Sequence, residues 1–394
     1  MPVPELKIVI APNALKGSLS AHDTAMAMAN GIQKVLPDAE LVLLPVADGG
    51  DGLLEVLKEA LDAKIITKAV TGPLGKPVNA SFLFNDTTKM AILEMAEAAG
   101  LARLTMDQYN PMQASTRGVG EMIMTALELG AKRITLGIGG SATNDGGTGM
   151  ATALGIRFLD ASGQVLPGNG ESLGRIKHID MTRLDPRLAG IEVQVICDVD
   201  NPLLGEHGAS RVFAPQKGAT SEQVSILDSS LAQLASVIEK DLGRDIRDIP
   251  GSGAAGGLGG GLVAFLNAQL KPGAEVVLDL TDFEQKVSGA DLILTAEGRL
   301  DEQTAYGKVP AVVAKRAQAM EIPCLAIAGS IGDEMHKLHQ TGINAAFSLC
   351  PGPISLGEAM QRAPELLTRA TEQTIRCYLA GLKTTLKTKG TLIE

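Results

Sequence analysis

The sequence predicts an α/β protein of two α/β domains. A discontinuous, Rossmann-like parallel-sheet domain comes from both ends of the chain, and a mixed α/β domain is inserted in the middle. Three observations carry this expectation. Continuous apolar runs such as KIVIA, from Lys7, alternate with amphipathic helical stretches, the pattern of a parallel sheet covered on both faces. The middle of the chain breaks that rhythm with strand-like runs separated by Gly-Pro and Gly-Lys-Pro turns. After Ala290 the opening scheme returns as apolar strand, polar loop and a lysine ahead of a helix, so that Lys308 echoes Lys16. The expected boundaries place residues 1–66 and 287–394 in the first domain and residues 67–286 in the second.

Taken in order, KIVIA is followed by the loop PNALKGSL and a helix beginning near Ser20. Ser20 and Asp23 form a capping-box-like start, and Ala25, Met28, Ile32 and Val35 make an apolar stripe. ELVLLP, the loop VADGGDG and the helical LLEVLKEAL repeat the scheme. KIITKAVTGPLGKPVNASFLFND, from Lys64, reads as an antiparallel excursion with turns at its glycine-proline pairs. AILEMAEAAGL, RITLGIGG and VQVICDVDNPLL supply further strands, with helical stretches between them. ADLILTA, PCLAIAGS and AAFSLC complete the returning domain, and the polar runs of the final LKTTLKTKGTLIE predict a frayed tail.

Composition narrows the function. A length of 394 residues fits about two or three domains. Forty-five glycines and no tryptophan point to closely packed layers of small aliphatic side chains. The formal charge of −10 argues against a nucleic-acid or anionic-membrane partner, either of which needs a positive surface. Four scattered cysteines without a CxxC pair fit a reducing compartment. MPVPELKIVIAP lacks the basic and long apolar regions of a signal peptide, and no apolar run approaches the ~20 residues of a membrane span. The expected location is the cytoplasm.

The stretch RITLGIGGSATNDGGTGMA, from Arg133, holds six glycines after a strand-like run. Glycine is costly to order, so such a cluster serves either a tight crossover or a backbone that approaches a ligand closely. Similar polar loops follow the other expected strands: APNALKGS, VADGGDG, CDVDNP, EGRLDEQT and AGS. In an open parallel sheet that is where ligands bind. No Walker A spacing occurs. GSGAAG, residues 251–256, has the dinucleotide-binding glycine spacing but no apolar strand before it, which leaves an anion site at a helix start or simple helix packing. The loop carboxylates Asp48, Asp51, Asp145, Asp198, Asp200, Glu297 and Asp301 are each read as solvated acids or caps, or together as a set suited to Mg²⁺. His336 and His339 have no partner ligand near in sequence and read as surface residues.

Seven segments in order (APNALKGSLSA, VADGGDG, GIGGSATNDGG, CDVDNPLLG, FAPQKGA, GSGAAGGLGGG and EGRLDEQTAYGK) give the chain its resemblance to the type 1 glycerate kinase family, from residue 7 to about residue 376. The resemblance implies ATP-dependent phosphorylation of D-glycerate, 2-phosphoglycerate as product, and two α/β domains with the active site in the cleft. Lys16, Asp48, Asp198 and Arg299 match the family pattern. Asn13 and Ala14 stand where it has Asp-Ser, Asp51 where it has Glu, and Glu97 where a small residue is common.

The expected catalytic residues are therefore Asp198, Lys16 and Asp48. Asp198 follows the strand VQVIC, a rigid place for the base, although an Asp there also suits capping the turn before Pro202. Substrate and phosphate binding is expected at Gly139, Gly140, Ser141, Asn144, Lys217, Arg299 and Asp301, with Mg²⁺ on Asp48 and Glu297. D-glycerate and ATP are the expected partners, and the sequence leaves monomer and homodimer open. Two alternatives remain: the same kinase giving 3-phosphoglycerate, and a non-catalytic sensor of small acids or nucleotides.

Overall fold

The computed structural model describes residues 6–48, 52–333 and 335–390, and of these it describes the backbone alone at Glu59, Gln303, Tyr306 and residues 383–390. Asp51 therefore lies outside the described residues. In chain order the first strands are β1 (Lys7–Ile10), β2 (Glu40–Leu43), β3 (Lys64–Thr71), β4 (Pro77–Asn85), β5 (Met90–Glu94) and β6 (Arg133–Gly137). They are followed by β7 (Arg157–Leu159), β8 (His178–Asp180), β9 (Glu192–Ile196) and β10 (Gln269–Lys271). The last are β11 (Leu292–Leu300), β12 (Cys324–Ile331) and β13 (Ile343–Ser348).

The chain divides into two compact units, one formed by Met1–Gly52 with Ala274–Glu394 and the other by Leu53–Gly273. The first carries a five-stranded sheet in the order β13-β12-β11-β1-β2. Every pairing in it is parallel, as the unbroken apolar runs require. The helix Ala21–Gln33 starts where Ser20 Oγ accepts the Asp23 N–H at 3.1 Å. Its Met28 and Ile32 pack with Ile8, Ile10, Leu294 and Leu367 in one apolar cluster. Leu367 belongs to the long C-terminal helix Ala363–Gly390, which continues through residues that the polar composition assigns to a tail.

The second unit holds a six-stranded sheet in the order β10-β9-β6-β5-β4-β3. β3, β4 and β5 run antiparallel, while β5, β6, β9 and β10 run parallel. The Gly-Pro text is the hairpin turn, closed by the Gly72 N–H on the Lys76 carbonyl at 2.8 Å. β3 pairs with β4 over its full length, and the helix Leu53–Ala60 packs on β4 and β5. The unit thus begins at Leu53, whereas the expected division at residue 66 falls inside β3. At the other end, Arg316 grips Glu275, Asp279 and Glu284, tying the helices Gly273–Leu280 and Phe283–Val287 to Val309–Ala319 in the first unit. That places its return at Ala274, ahead of the expected residue 287. No helix among the described residues is long and apolar enough to cross a membrane.

Candidate active site

In the first unit the polar loops stand at the C-terminal ends of β1, β2 and β11. Lys16 lies exposed in a tight turn closed by paired Leu15 and Leu19 backbone bonds of 3.0 Å. A Cβ on Gly298 of β11 would sit 3.8 Å from the Lys16 nitrogen, so the turn passes close to β11. Asn13 is buried, with its Nδ2 3.4 Å from Asp48 Oδ2 and its Oδ1 accepting the Ala14 N–H at 2.8 Å. Asn13 is thus a loop-former that touches Asp48.

Glu297 is 9% exposed, and burial raises its pKa to about 7. Lys308 opposes that shift, while Asp48 and Asp301 reinforce it. Arg299, itself exposed, pairs with Asp301 Oδ2 at 3.2 Å. Asp301 Oδ1 is buried and has no hydrogen-bond partner. The structure brings Lys16, Asp48, Glu297, Arg299 and Asp301 to one end of one sheet. Lys308 and Thr304, which reaches Glu297 Oε2 at 3.5 Å, join them without having been singled out for chemistry. Among the described residues no three His, Cys, Asp or Glu side chains are grouped to hold a metal ion, and His336 and His339 are exposed. Mg²⁺ asks for less, one or two carboxylates with several waters, and the hard oxygens around Glu297 meet that demand.

In the second unit the six-glycine stretch leaves β6 and divides into two parts. Gly139 and Gly140 are exposed, whereas Ser141, Thr143, Asn144 and Asp145 are buried. The loop is tied down by backbone bonds from Leu101 to Gly140 O and from Ala142 to Ala99 O, at 2.8 and 2.9 Å. Asn144 Nδ2 donates to Ser210 Oγ at 3.1 Å, while Asn144 Oδ1 and Thr143 Oγ1 are buried without partners. Asp145, read from the sequence as a solvated acid or cap or as one of a Mg²⁺-suited set, is buried and organises the turn. Its carboxylate accepts the N–H groups of Thr116, Gly147 and Gly149 and the Thr116 hydroxyl. Burial pushes its pKa up while those donors pull it down.

Lys217 is 2% exposed and sits beneath this loop, donating to Ser141 Oγ at 2.6 Å and to the Thr143 carbonyl at 2.7 Å. Burial lowers its pKa to about 7 against the opposing charge of Asp145. Asp198, exposed just beyond β9, accepts the Gly273 N–H at 2.7 Å. β9 is the neighbour of β6, which puts Asp198 and the glycine loop at the same end of one sheet. Glu97, unusual by resemblance, is ion-paired to Arg103 at 3.0 Å and accepts the Ser81 N–H.

The 251–261 glycines serve packing. The helix Ala254–Leu266 is interrupted by left-handed backbone at Ala255, Gly256 and Gly257, and a Cβ on Gly256 would lie 2.1 Å from the Thr143 carbonyl. Gly146 N–H bonds the Gly256 carbonyl at 3.0 Å.

Parallel strands that deliver charged and glycine-rich loops to their C-terminal ends are the arrangement on which α/β enzymes build their sites. The chain belongs to the glycerate kinase family, whose model matches residues 8–379, and it is thereby a phosphotransferase. It is 47% identical to a glycerate kinase of Bacillus subtilis, over 96% of this chain and 98% of that protein. It is 44% identical to the glycerate 2-kinase of Escherichia coli K12, over 96% and 99% of the two chains. A crystal structure of a candidate glycerate kinase 2 from Salmonella typhimurium LT2 superposes with a TM-score of 0.87 at 42% identity, covering 96% of this chain and 99% of that one.

Proposed function

We propose that this protein transfers the γ-phosphoryl group of ATP to the 2-hydroxyl of D-glycerate, giving ADP and 2-phosphoglycerate. The observation that carries the reading is the pairing of a glycine loop with Asp198 at the ends of the adjacent strands β6 and β9. The hydroxyl oxygen bonds to the γ-phosphorus as the bridging P–O bond to ADP breaks, and Asp198 takes the hydroxyl proton. The Gly273 N–H fixes the orientation of that carboxylate. The exposed backbone at Gly139 and Gly140 lets anionic oxygens approach N–H groups. Lys16 and Arg299 offset phosphate or carboxylate charge. Asp48 and Glu297 would hold a Mg²⁺ ion, which when bound neutralises β- and γ-phosphate oxygens. The four free cysteines support a cytoplasmic setting.

An enolase-coupled assay reads 2-phosphoglycerate directly. Signal without added mutase supports the reading, while normal ADP release with a silent coupling enzyme assigns the 3-phosphate instead. Asp198→Asn should lower kcat by ~10²–10⁴-fold, the usual contribution of a positioned base, with ATP affinity nearly unchanged. A variant that keeps most of its kcat removes Asp198 from the chemistry and turns attention to Asp48.

A further inference from the structure

Lys217 stands out among the buried groups, because a fold that needed only packing would place an apolar side chain there. Removing an ammonium from water is costly, and replacing a whole buried charge pair by apolar side chains is often neutral or stabilising. Here the ammonium has only 2% exposure, so it cannot itself reach a ligand in solvent. Both of its hydrogen bonds go to the 141–143 segment, immediately after the exposed Gly139 and Gly140. The same segment keeps two further buried polar atoms, Thr143 Oγ1 and Asn144 Oδ1, without partners. Buried polar groups left without partners are costly, and two of them beneath an open loop call for a reason beyond packing.

We propose that Lys217 is a positioning residue for phosphoryl transfer: by holding Ser141 Oγ and the Thr143 carbonyl it fixes the 139–144 loop in the one backbone arrangement that receives the anionic substrate. This moves Lys217 from the expected substrate-binding set to a support beneath it. The inference rests on the proposed function for its kinetic consequence, but its geometric content can be tested apart from activity.

The test compares wild type with Lys217→Met, which keeps length and removes both donors and charge, and Lys217→Gln, which keeps a donor. Three quantities are measured: melting temperature, kcat/KM for D-glycerate, and amide hydrogen exchange of residues 139–144 without ligand. The expected result for Lys217→Met is a lowered melting temperature, because Ser141 Oγ and the Thr143 carbonyl lose their buried donor, with faster exchange in 139–144 only and kcat/KM lower by roughly ten- to a hundredfold, the scale of a small misplacement. Lys217→Gln should recover part of the protection and part of the rate. Unchanged exchange in 139–144 overturns the inference whatever the activity, and so does failure of both variants to fold, which would make Lys217 a determinant of the fold. An inactive wild type with faster loop exchange in Lys217→Met would instead sink the proposed function and leave the positioning intact.

Discussion

Two glycine-rich segments of the second unit touch each other and do opposite work. Residues 251–261 are almost wholly buried, and their missing side chains make room for backbone: a Cβ on Gly259 would meet the Gly251 carbonyl at 2.2 Å, and one on Gly261 the Gly146 carbonyl at 2.3 Å. Residues 139 and 140 are exposed, and the nearest atom to a Cβ on Gly140 is the Ala96 Cβ at an ordinary 3.5 Å. The first segment is the platform and the second the surface it presents. Glycine density alone does not separate these roles; exposure and the identity of the colliding atom do.

The sharpest way to break the comparison is Gly256→Ala. Its φ of +69° and the Thr143 carbonyl at 2.1 Å allow no Cβ without moving the site loop, so the loss of stability should exceed the ~1–3 kcal/mol of ordinary overpacking. Urea unfolding measures it, and a near-native midpoint would refute the platform role. Next comes Asp145→Asn. It sets an amide N–H₂ against donors that now point at a carboxylate, at a cost of ~1–3 kcal/mol. A lowered melting temperature with kcat falling less steeply than stability marks Asp145 as structural.

Gly139→Ala is the complementary probe of the open segment. Gly140 is the poorer choice, because its φ of +72° strains any side chain and confounds fold with function. With Gly139 exposed and outside the left-handed region, stability should shift by no more than ~0.5 kcal/mol while KM for an anionic substrate rises roughly tenfold. Intact kinetics would return this loop to a plain crossover.

Much of this was legible in the chain. Unbroken apolar runs gave away the parallel sheet of the first unit and the parallel strands of the second, the Gly-Pro turns marked the antiparallel excursion, and seven loops in register pointed to the family. Several features were not. The domain edges moved because strand pairing of β3 and the Arg316 cluster act over long sequence distances. The burial of Lys217 is invisible to any local pattern, since FAPQKGA reads equally well as a surface phosphate loop. Asp145 and Asp198 look alike in sequence, two loop acids after strands, yet one is fully enclosed by donors and the other is exposed.

The smallest expected effect lies in the first unit and concerns pH. Glu297 has its folded pKa raised from 4.5 to about 7, chiefly by burial, so the folded state binds more protons than the unfolded one between those values. Its favourable contribution is complete below pH 4.5 and is lost as pH rises through about 7. Glu297→Gln, which cannot ionise, should therefore gain on wild type in melting temperature as pH rises from 5 to 8, measured without nucleotide. Parallel curves would place Glu297 in a wetter setting than the structure gives it.

We propose that the open glycines receive the substrate while the packed glycines carry the fold. Hydrogen exchange with and without D-glycerate and a non-hydrolysable ATP analogue tests it directly. Residues 139–144 should exchange more slowly when the ligands are bound, and residues 251–261 should be slow in both states. Protection that leaves 139–144 unchanged, or that appears only in 251–261, would contradict the account.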